Sequence, residues 1–146
     1  MIVDERLVTY INSLDTGNTP ILDEIEREAL ASFVPIIRKE MQSFLKVLLS
    51  IKRPKRILEV GTAVGFSAIL MAEYDPVGCE IITIENYEKR IPIARENFIR
   101  AEKEEQITLL EGDAKDVLEK AISGLQTVTV DLSLIHISEP TRPLYI

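Results

Sequence analysis

The chain has 146 residues, of which 46% are hydrophobic and 28% are charged, a composition typical of one globular domain. Its 24 acidic residues outnumber its 17 basic residues and give a net charge of −7, so any binding of nucleic acid must depend on a local basic patch. No apolar run is long enough to span a bilayer and the N-terminus is acidic, unlike a signal peptide, so we expect no membrane association and a cytoplasmic location.

The first third of the chain, residues 1–51, is predicted to form three helices. Asp4 is placed to cap the first helix, and Thr19 with Pro20 is a typical start for the second. Pro35 ends the second helix, because the residue before a proline leaves helical geometry, and a third helix follows from Ile36. The residues expected to face inward are Leu7, Val8, Ile11 and Leu14 in the first helix and Ile37, Met41, Phe44, Leu45 and Leu48 in the third.

A compact basic cluster, formed by Lys52, Arg53, Lys55 and Arg56, follows the third helix. Cations at the C-terminal end of a helix offset the helix dipole, which is the simpler explanation of the cluster. Contact with RNA is the alternative interpretation, and it stays open.

The stretch RILEVGTAVGFSAILMA, from Arg56 to Ala72, predicts a strand, a turn and a helix. The run from Ile57 to Val60 is apolar apart from Glu59 and indicates a buried parallel strand that ends at Gly61. After Gly65 the apolar positions follow helical spacing. Such a unit directs the first turn of its helix to the carboxyl end of the strand, where open α/β sheets bind ligands.

The turn itself argues against a dinucleotide ligand. A dinucleotide fingerprint has the order G-x-G-x-x-G, and here Ala63 replaces the glycine that admits a pyrophosphate. Glu59 lies beside the turn as a hydrogen-bond acceptor, and Ser67 adds a hydroxyl group. These side chains favour a cationic or hydroxylated ligand.

Each of the next two predicted strands has a further acidic residue at its end or just after it. Glu85 ends the strand EIITIE, where a carboxylate can bind the two hydroxyl groups of a ribose. Asn86 is placed to cap the following helix, in which Pro92 either introduces a kink or delays the start. Asp113 follows the strand QITLLE, and it either caps the next helix or contributes to a ligand site.

The motifs ILEVGTAVGFSA, IITIE and LLEGDA together resemble the cofactor motifs of class I S-adenosylmethionine (SAM)-dependent O-methyltransferases of the catechol and caffeoyl-CoA group. Within that family, the layout of the N-terminal half is most similar to the bacterial tRNA 5-hydroxyuridine methyltransferases. The resemblance covers roughly residues 30–124 and implies an α/β, Rossmann-like fold, truncated here after about three parallel strands and preceded by a helical segment.

The resemblance also implies a function and a site. The function is transfer of a methyl group from SAM to a hydroxyl group, either of 5-hydroxyuridine in tRNA or of a small phenolic substrate, by an enzyme that in full length uses Mg²⁺ and forms a homodimer. Its metal ligands and acceptor pocket would follow Asp131, so no catalytic or metal-binding residue is predicted here. The residues implied to bind the cofactor are Ile37, Glu59, Gly61, Thr62, Ser67, Glu85, Asp113 and Ala114.

The C-terminal tail is unlike the rest of the chain. From Leu132 to about Arg142 it reads LSLIHISEPTR, which resembles the in-frame translation of a sequencing adapter. We therefore expect residues 1–131 to be the N-terminal part of one SAM-binding domain and residues 132–146 to be a non-native tail, with no role for His136. The alternation TVTVDLSLIHI still has the pattern of a strand. An inactive, truncated cofactor-binding domain is the non-enzymatic alternative.

Overall fold

The computed structural model describes residues 4–124 and 130–136, without the side chains of residues 121–124. Helices and strands alternate after an all-helical N-terminal region. The helices are α1 (Glu5–Ser13), α2 (Pro20–Ala31), α3 (Lys39–Lys52), α4 (Phe66–Tyr74), α5 (Ile91–Arg100) and α6 (Ala114–Gly124). The strands are β1 (Arg56–Val60), β2 (Glu80–Glu85), β3 (Ile107–Glu111) and β4 (Leu132–Ile135).

The four strands form one sheet in the order β3-β2-β1-β4, and every pair is parallel. The order reverses at β1, which pairs with β2 on one side and with β4 on the other. An open parallel sheet with such a switch point has its ligand crevice at the carboxyl ends of the strands. The predicted α/β, Rossmann-like architecture is thus confirmed.

The fourth strand lies in the stretch that the sequence assigned to a non-native tail. Its pattern predicted a strand, and the structure confirms one at Leu132–Ile135. Asp131 anchors the start, because its carboxylate accepts hydrogen bonds from the N–H groups of Lys55 at 2.9 Å and Arg56 at 3.0 Å. At the other end, the N–H of His136 donates to the carbonyl of Val60 at 2.9 Å. The remainder of the predicted tail, residues 137–146, lies outside the described residues.

The core is centred on α4, where the seven residues from Phe66 to Ala72 are all buried. Both faces are covered because the sheet packs on one side and α2 and α3 pack on the other. Among the described residues, no helix is long and apolar enough to cross a membrane.

Two helices of the N-terminal region differ from the prediction. Asp4 caps α1 as expected, but α1 has no buried residue, so its predicted inward stripe is wrong. Helix α3 begins at Lys39 rather than Ile36 and buries Gln42, Leu45 and Leu49. Its buried face is therefore rotated from the predicted one, and the side chains of Met41 and Phe44, the latter 56% exposed, lie at the surface.

Candidate functional site

A cavity of about 810 Å³ lies at the carboxyl ends of β1, β2 and β3. Seven of the eight residues that the sequence implied for the cofactor contribute to its lining. They are Ile37, Gly61, Thr62, Ser67, Glu85, Asp113 and Ala114. The sheet brings them together because parallel strands present their carboxyl ends at the same edge.

The turn after β1 is built on two glycines with positive φ, Gly61 at +95° and Gly65 at +85°. The N–H of Gly61 donates to the carbonyl of Ile84 at 2.9 Å and so holds the turn against β2. At Gly65, which precedes α4, a Cβ atom would lie 2.5 Å from the ring of Phe98. Gly65 is thus required by the fold, and Gly61 admits the close approach of His136, whose Cβ would lie 3.1 Å from a Cβ at this position.

Glu59 is the one predicted residue that does not line the cavity. Its side chain is fully buried, and its carboxylate accepts hydrogen bonds from the hydroxyl groups of Ser67 and, at 2.6 Å, of Thr83. Thr83 also lies 2.6 Å from the hydroxyl of Thr62. Glu59 therefore orients the hydroxyl of Ser67, a residue that does line the cavity.

The partly buried His136 joins this group, although we predicted no role for it from the sequence. Its Nε2 lies 3.0 Å from Glu59 Oε1 and 3.1 Å from Ser67 Oγ. A serine-histidine-acid triad instead uses the two ring nitrogens separately, Nδ1 toward the acid and Nε2 toward the serine. Since a single nitrogen faces both partners here, the three residues do not form such a triad.

Glu85 lies at the end of β2 and faces the cavity. Its Oε2 accepts a hydrogen bond from Ala63 N–H at 2.7 Å, and its Oε1 accepts from the N–H groups of Asn86 at 3.1 Å and Tyr87 at 2.9 Å. A carboxylate offers about four acceptor directions, so these three bonds leave one for a ligand. The sequence predicted that Asn86 caps α5, and this prediction is wrong. A turn from Tyr87 to Arg90 separates Asn86 from the start of that helix.

Asp113 caps α6 and also lines the cavity. Its Oδ1 accepts a hydrogen bond from Lys115 N–H at 2.9 Å, which caps α6, and its side chain lines the cavity beside Ala114. The adjacent N–H of Gly112 donates to the carbonyl of Glu85 at 2.9 Å. This bond keeps the turn after β3 next to the end of β2.

Several lining residues were missed by the sequence reasoning. Tyr87 and Arg90 lie on the rim after β2, with the guanidinium of Arg90 5.2 Å from the ring of Tyr87. The signal for them was their position just after Glu85, since the loop after each strand borders the same crevice. The opposite wall is apolar and comes from the segment before α3, through Pro35, Ile36 and Ile37.

No group of three or more acidic, histidine or cysteine side chains that could hold a metal ion occurs within residues 4–124 and 130–136. The buried Cys79 is remote from the cavity lining, and burial raises the pKa of its thiol to about 11. The arrangement of the cavity is therefore that of a binding site with a hydroxyl group, a carboxylate and an apolar wall.

The sequence of the chain is similar to those of O-methyltransferases. The family model described as O-methyltransferase matches residues 12–145. A catechol O-methyltransferase of Niastella koreensis is 29% identical over 119 residues, which cover 82% of this chain and 48% of the relative. A catechol O-methyltransferase of Mycobacterium tuberculosis is 28% identical over 139 residues, covering 94% of this chain and 61% of the relative.

Solved structures give the same result at the level of the fold. The O-methyltransferase of Bacillus cereus in complex with S-adenosylhomocysteine (SAH) superimposes with a TM-score of 0.76 at 28% identity. The match covers 88% of this chain and 59% of that one. An SAH-bound methyltransferase of Podospora anserina gives a TM-score of 0.78 at 26% identity, over 90% and 56% of the two chains. The chain thus spans roughly half to three fifths of the length of these four proteins.

Proposed function

The chain belongs to the O-methyltransferase family, and from this membership we propose that it binds SAM in the cavity at the carboxyl ends of β1, β2 and β3. The observation that carries the proposal is the convergence of Gly61, Ser67, Glu85 and Asp113, from three separate strand ends, on one cavity. The SAH complex of the Bacillus cereus relative supports an adenosyl ligand for this fold.

The residues of the cavity fit an adenosyl cofactor. Its volume of about 810 Å³ lies in the range of small-molecule sites. Glu85 has one acceptor direction left, which suits a ribose hydroxyl, and the apolar wall at Ile37 suits a flat, uncharged base. Gly61 lines the cavity at the turn after β1, and the hydroxyl of Ser67 is held nearby by Glu59.

When bound, SAM would supply an electrophilic methyl group to an acceptor oxygen. This chain's own residues would contribute alignment: Glu85 fixes the ribose, the turn at Gly61 fixes the methionine end, and Asp113 with Ala114 borders the base. Magnesium, which the resemblance implies for the whole enzyme, has no cluster of ligands in the part of the chain that the structure describes. The proposal for this chain therefore concerns the adenosyl cofactor alone.

The acceptor that we propose is a hydroxyl group, and two classes of molecule have support. A catechol-type phenol is favoured by the two relatives named catechol O-methyltransferase. 5-Hydroxyuridine in tRNA has the weaker support of the basic cluster, since Lys52, Arg53, Lys55 and Arg56 are all exposed. We propose the phenol for the full-length enzyme and keep the tRNA as the second candidate.

We further propose that residues 1–146 bind the cofactor without turnover. The stretch from Leu132 resembles a translated adapter, and the resemblance places the metal-binding and acceptor-binding segments after Asp131, where this stretch begins. The residues proposed to bind the cofactor, from Ile37 to Ala114, all precede Leu132. Re-sequencing of the gene across codons 131–146 would test the origin of the tail directly.

The binding proposal is tested by titration of purified chain with SAH in a calorimeter, with adenosine and NAD as control ligands. We expect saturable binding of SAH and none of NAD. Incubation with labelled SAM, Mg²⁺, and either a catechol or hydroxyuridine-containing tRNA then tests turnover. Absence of SAH binding by a folded sample would refute the proposed function, and methyl transfer to either acceptor would refute the proposed inactivity.

A further inference from the structure

The side chain of Gln42 joins three separate segments beneath the apolar wall of the cavity. It is only 1% exposed and lies in the first turn of α3. Its Oε1 accepts a hydrogen bond from Asn18 Nδ2 at 2.8 Å, and its Nε2 donates to Glu26 Oε1 and to the carbonyl of Ile37, both at 3.0 Å. Both N–H groups of the amide therefore donate hydrogen bonds to protein atoms, and neither is left for solvent.

Glu26 fixes the orientation of this amide. Its other oxygen, Oε2, lies 2.6 Å from the ammonium group of Lys39. Burial alone would lower the pKa of Lys39, but the hydrogen bond to Glu26 and the nearby negative charges outweigh it, so the pKa is raised and Lys39 stays charged. An ionised Glu26 can only accept hydrogen bonds, so the NH₂ group of Gln42 must face it. The second N–H of that group is then directed at the Ile37 carbonyl.

The segment that receives this bond is irregular main chain. Between the end of α2 and the start of α3, residues 34–38 adopt neither helix nor strand. The segment is attached at its start by a hydrogen bond from Val34 N–H to Ala29 O at 2.9 Å. Pro35, Ile36 and Ile37 form the apolar wall of the cavity, so a displacement of this main chain would displace the wall.

We infer that Gln42 is a positioning residue for the adenosyl cofactor, because it holds the Ile37 carbonyl and with it the wall against which the cofactor would pack. This inference rests on the proposed function. Gln42 does not line the cavity. Under this inference its replacement changes the affinity for the cofactor, whereas replacement of a merely structural residue of the same helix does not. Binding is more favourable when such a wall is already ordered before the ligand arrives, because less conformational freedom is lost on binding.

The test compares Gln42→Met with Leu49→Ala. Methionine matches glutamine in length but forms none of the three hydrogen bonds. Leu49 is fully buried on the same helix and is not part of the cavity, so Leu49→Ala reports the effect of lost stability alone. Each variant is titrated with SAH well below its melting temperature, and hydrogen exchange of residues 34–41 is followed by mass spectrometry without ligand.

We expect Gln42→Met to raise the Kd for SAH by about tenfold and to speed exchange in residues 34–41, with β1 and β2 unchanged. Leu49→Ala should lower the melting temperature and leave the Kd unchanged. Wild-type affinity in Gln42→Met, or equal loss of affinity in the two variants, would overturn the inference.

The exchange measurement separates this inference from the proposed function. If wild-type chain does not bind SAH, the proposed function fails, and selective exchange in residues 34–41 of Gln42→Met still decides whether Gln42 orders the wall. If Gln42→Met does not fold, Gln42→Asn replaces it, since the amide is one methylene shorter and its NH₂ group is withdrawn from the Ile37 carbonyl while the position stays polar. Faster exchange in the same residues would then support the role, and unchanged exchange would overturn it.

Discussion

The carboxylate of Glu85 accepts a hydrogen bond of 2.7 Å from the main-chain N–H of Ala63, which joins the end of β2 to the turn after β1. Ala63 has a φ of +50°, a conformation that residues other than glycine seldom adopt. The second oxygen of Glu85 accepts from Asn86 and Tyr87. The same carboxylate therefore supports the cavity turn and faces the cavity.

Glu85→Gln should weaken SAH binding even though glutamine has nearly the same shape. Both oxygens of Glu85 face N–H groups, so either orientation of the new amide places an NH₂ group against a donor. We expect a loss of about 1 to 3 kcal/mol in binding free energy, the usual cost of unpaired buried groups, with a fall in melting temperature. Calorimetric titration with SAH measures the first and a thermal melt the second.

A matched control is available on the neighbouring strand. Glu111 pairs in register with Glu85 but is exposed, where it forms a 2.8 Å ion pair with Arg95. Because exposed ion pairs contribute little, Glu111→Gln should leave affinity and stability unchanged. If Glu85→Gln behaved like this control, Glu85 would have no part in the site.

Gly65→Ala should destabilise the fold far more than Gly17→Ala. The two glycines have nearly equal φ values, +85° and +81°, so the conformational cost of a Cβ, about 1 to 2 kcal/mol, is shared. At Gly17 a Cβ would meet no described atom within 4 Å, whereas at Gly65 it would lie 2.5 Å from Phe98 Cε1. Overpacking of this kind adds about 1 to 3 kcal/mol.

Urea unfolding of the two single variants measures the difference. The double variant with Gly65→Ala and Phe98→Leu should recover part of the loss, because the smaller side chain makes room for the Cβ. Equal destabilisation by Gly65→Ala and Gly17→Ala would mean that the contact with Phe98 relaxes without cost.

Much of the site was predictable from the sequence because it depends on local patterns at strand ends. Gly61 follows β1, Glu85 ends β2, and Asp113 follows β3, so a correct reading of three strands already places all three at one edge of the sheet. The change from strand to helix periodicity after Gly65 was equally local.

The face of α3 was not predictable in the same way. Polarity alone places Met41 and Phe44 inside and Gln42 outside, yet the structure has the reverse. Burial of Gln42 depends on Asn18 and Glu26, which are distant along the chain and satisfy its amide only once α2 and α3 have packed. The enclosed position of Glu59 has a similar cause, since its partner Thr83 comes from the next strand.

Asp131→Asn should reduce stability near neutral pH and have a smaller effect in acid. Hydrogen bonds from the N–H groups of Lys55 and Arg56 lower the pKa of Asp131 below its usual value of 3.8. A carboxyl group whose pKa is lowered by folding stabilises the folded state above its unfolded pKa, and this contribution is lost as the pH falls through the folded value. The difference between wild type and variant should therefore shrink below pH 3.8.

Urea unfolding of both proteins over a pH series measures that difference. Other carboxyl groups titrate in the same range, so the comparison between the two proteins is the relevant quantity and the absolute stability is not. A difference that stays constant into acid would show that Asp131 does not anchor β4 through its charge.

His136 lies against Gly61 and Ser67, where under the proposed function the methionine end of SAM would bind. A Cβ at Gly61 would be 3.1 Å from His136 Cβ, so the two residues are in close contact. The ring also lies 3.1 Å from the Ser67 hydroxyl, which has its own bond to Glu59. A ligand that uses the Ser67 hydroxyl must therefore compete with this imidazole.

His136→Ala should accordingly strengthen SAH binding. Loss of a competing hydrogen bond of about 0.5 to 1.5 kcal/mol corresponds to a Kd that falls by roughly twofold to tenfold. The fold should tolerate the change, because β4 is held to β1 through main-chain bonds, including that from His136 N–H to Val60 O. Calorimetric titration with SAH measures the effect, and His136→Gln, which retains a polar side chain at the same position, is the control. A weaker affinity in His136→Ala would mean that the histidine belongs to the site, and would count against a non-native origin of the tail.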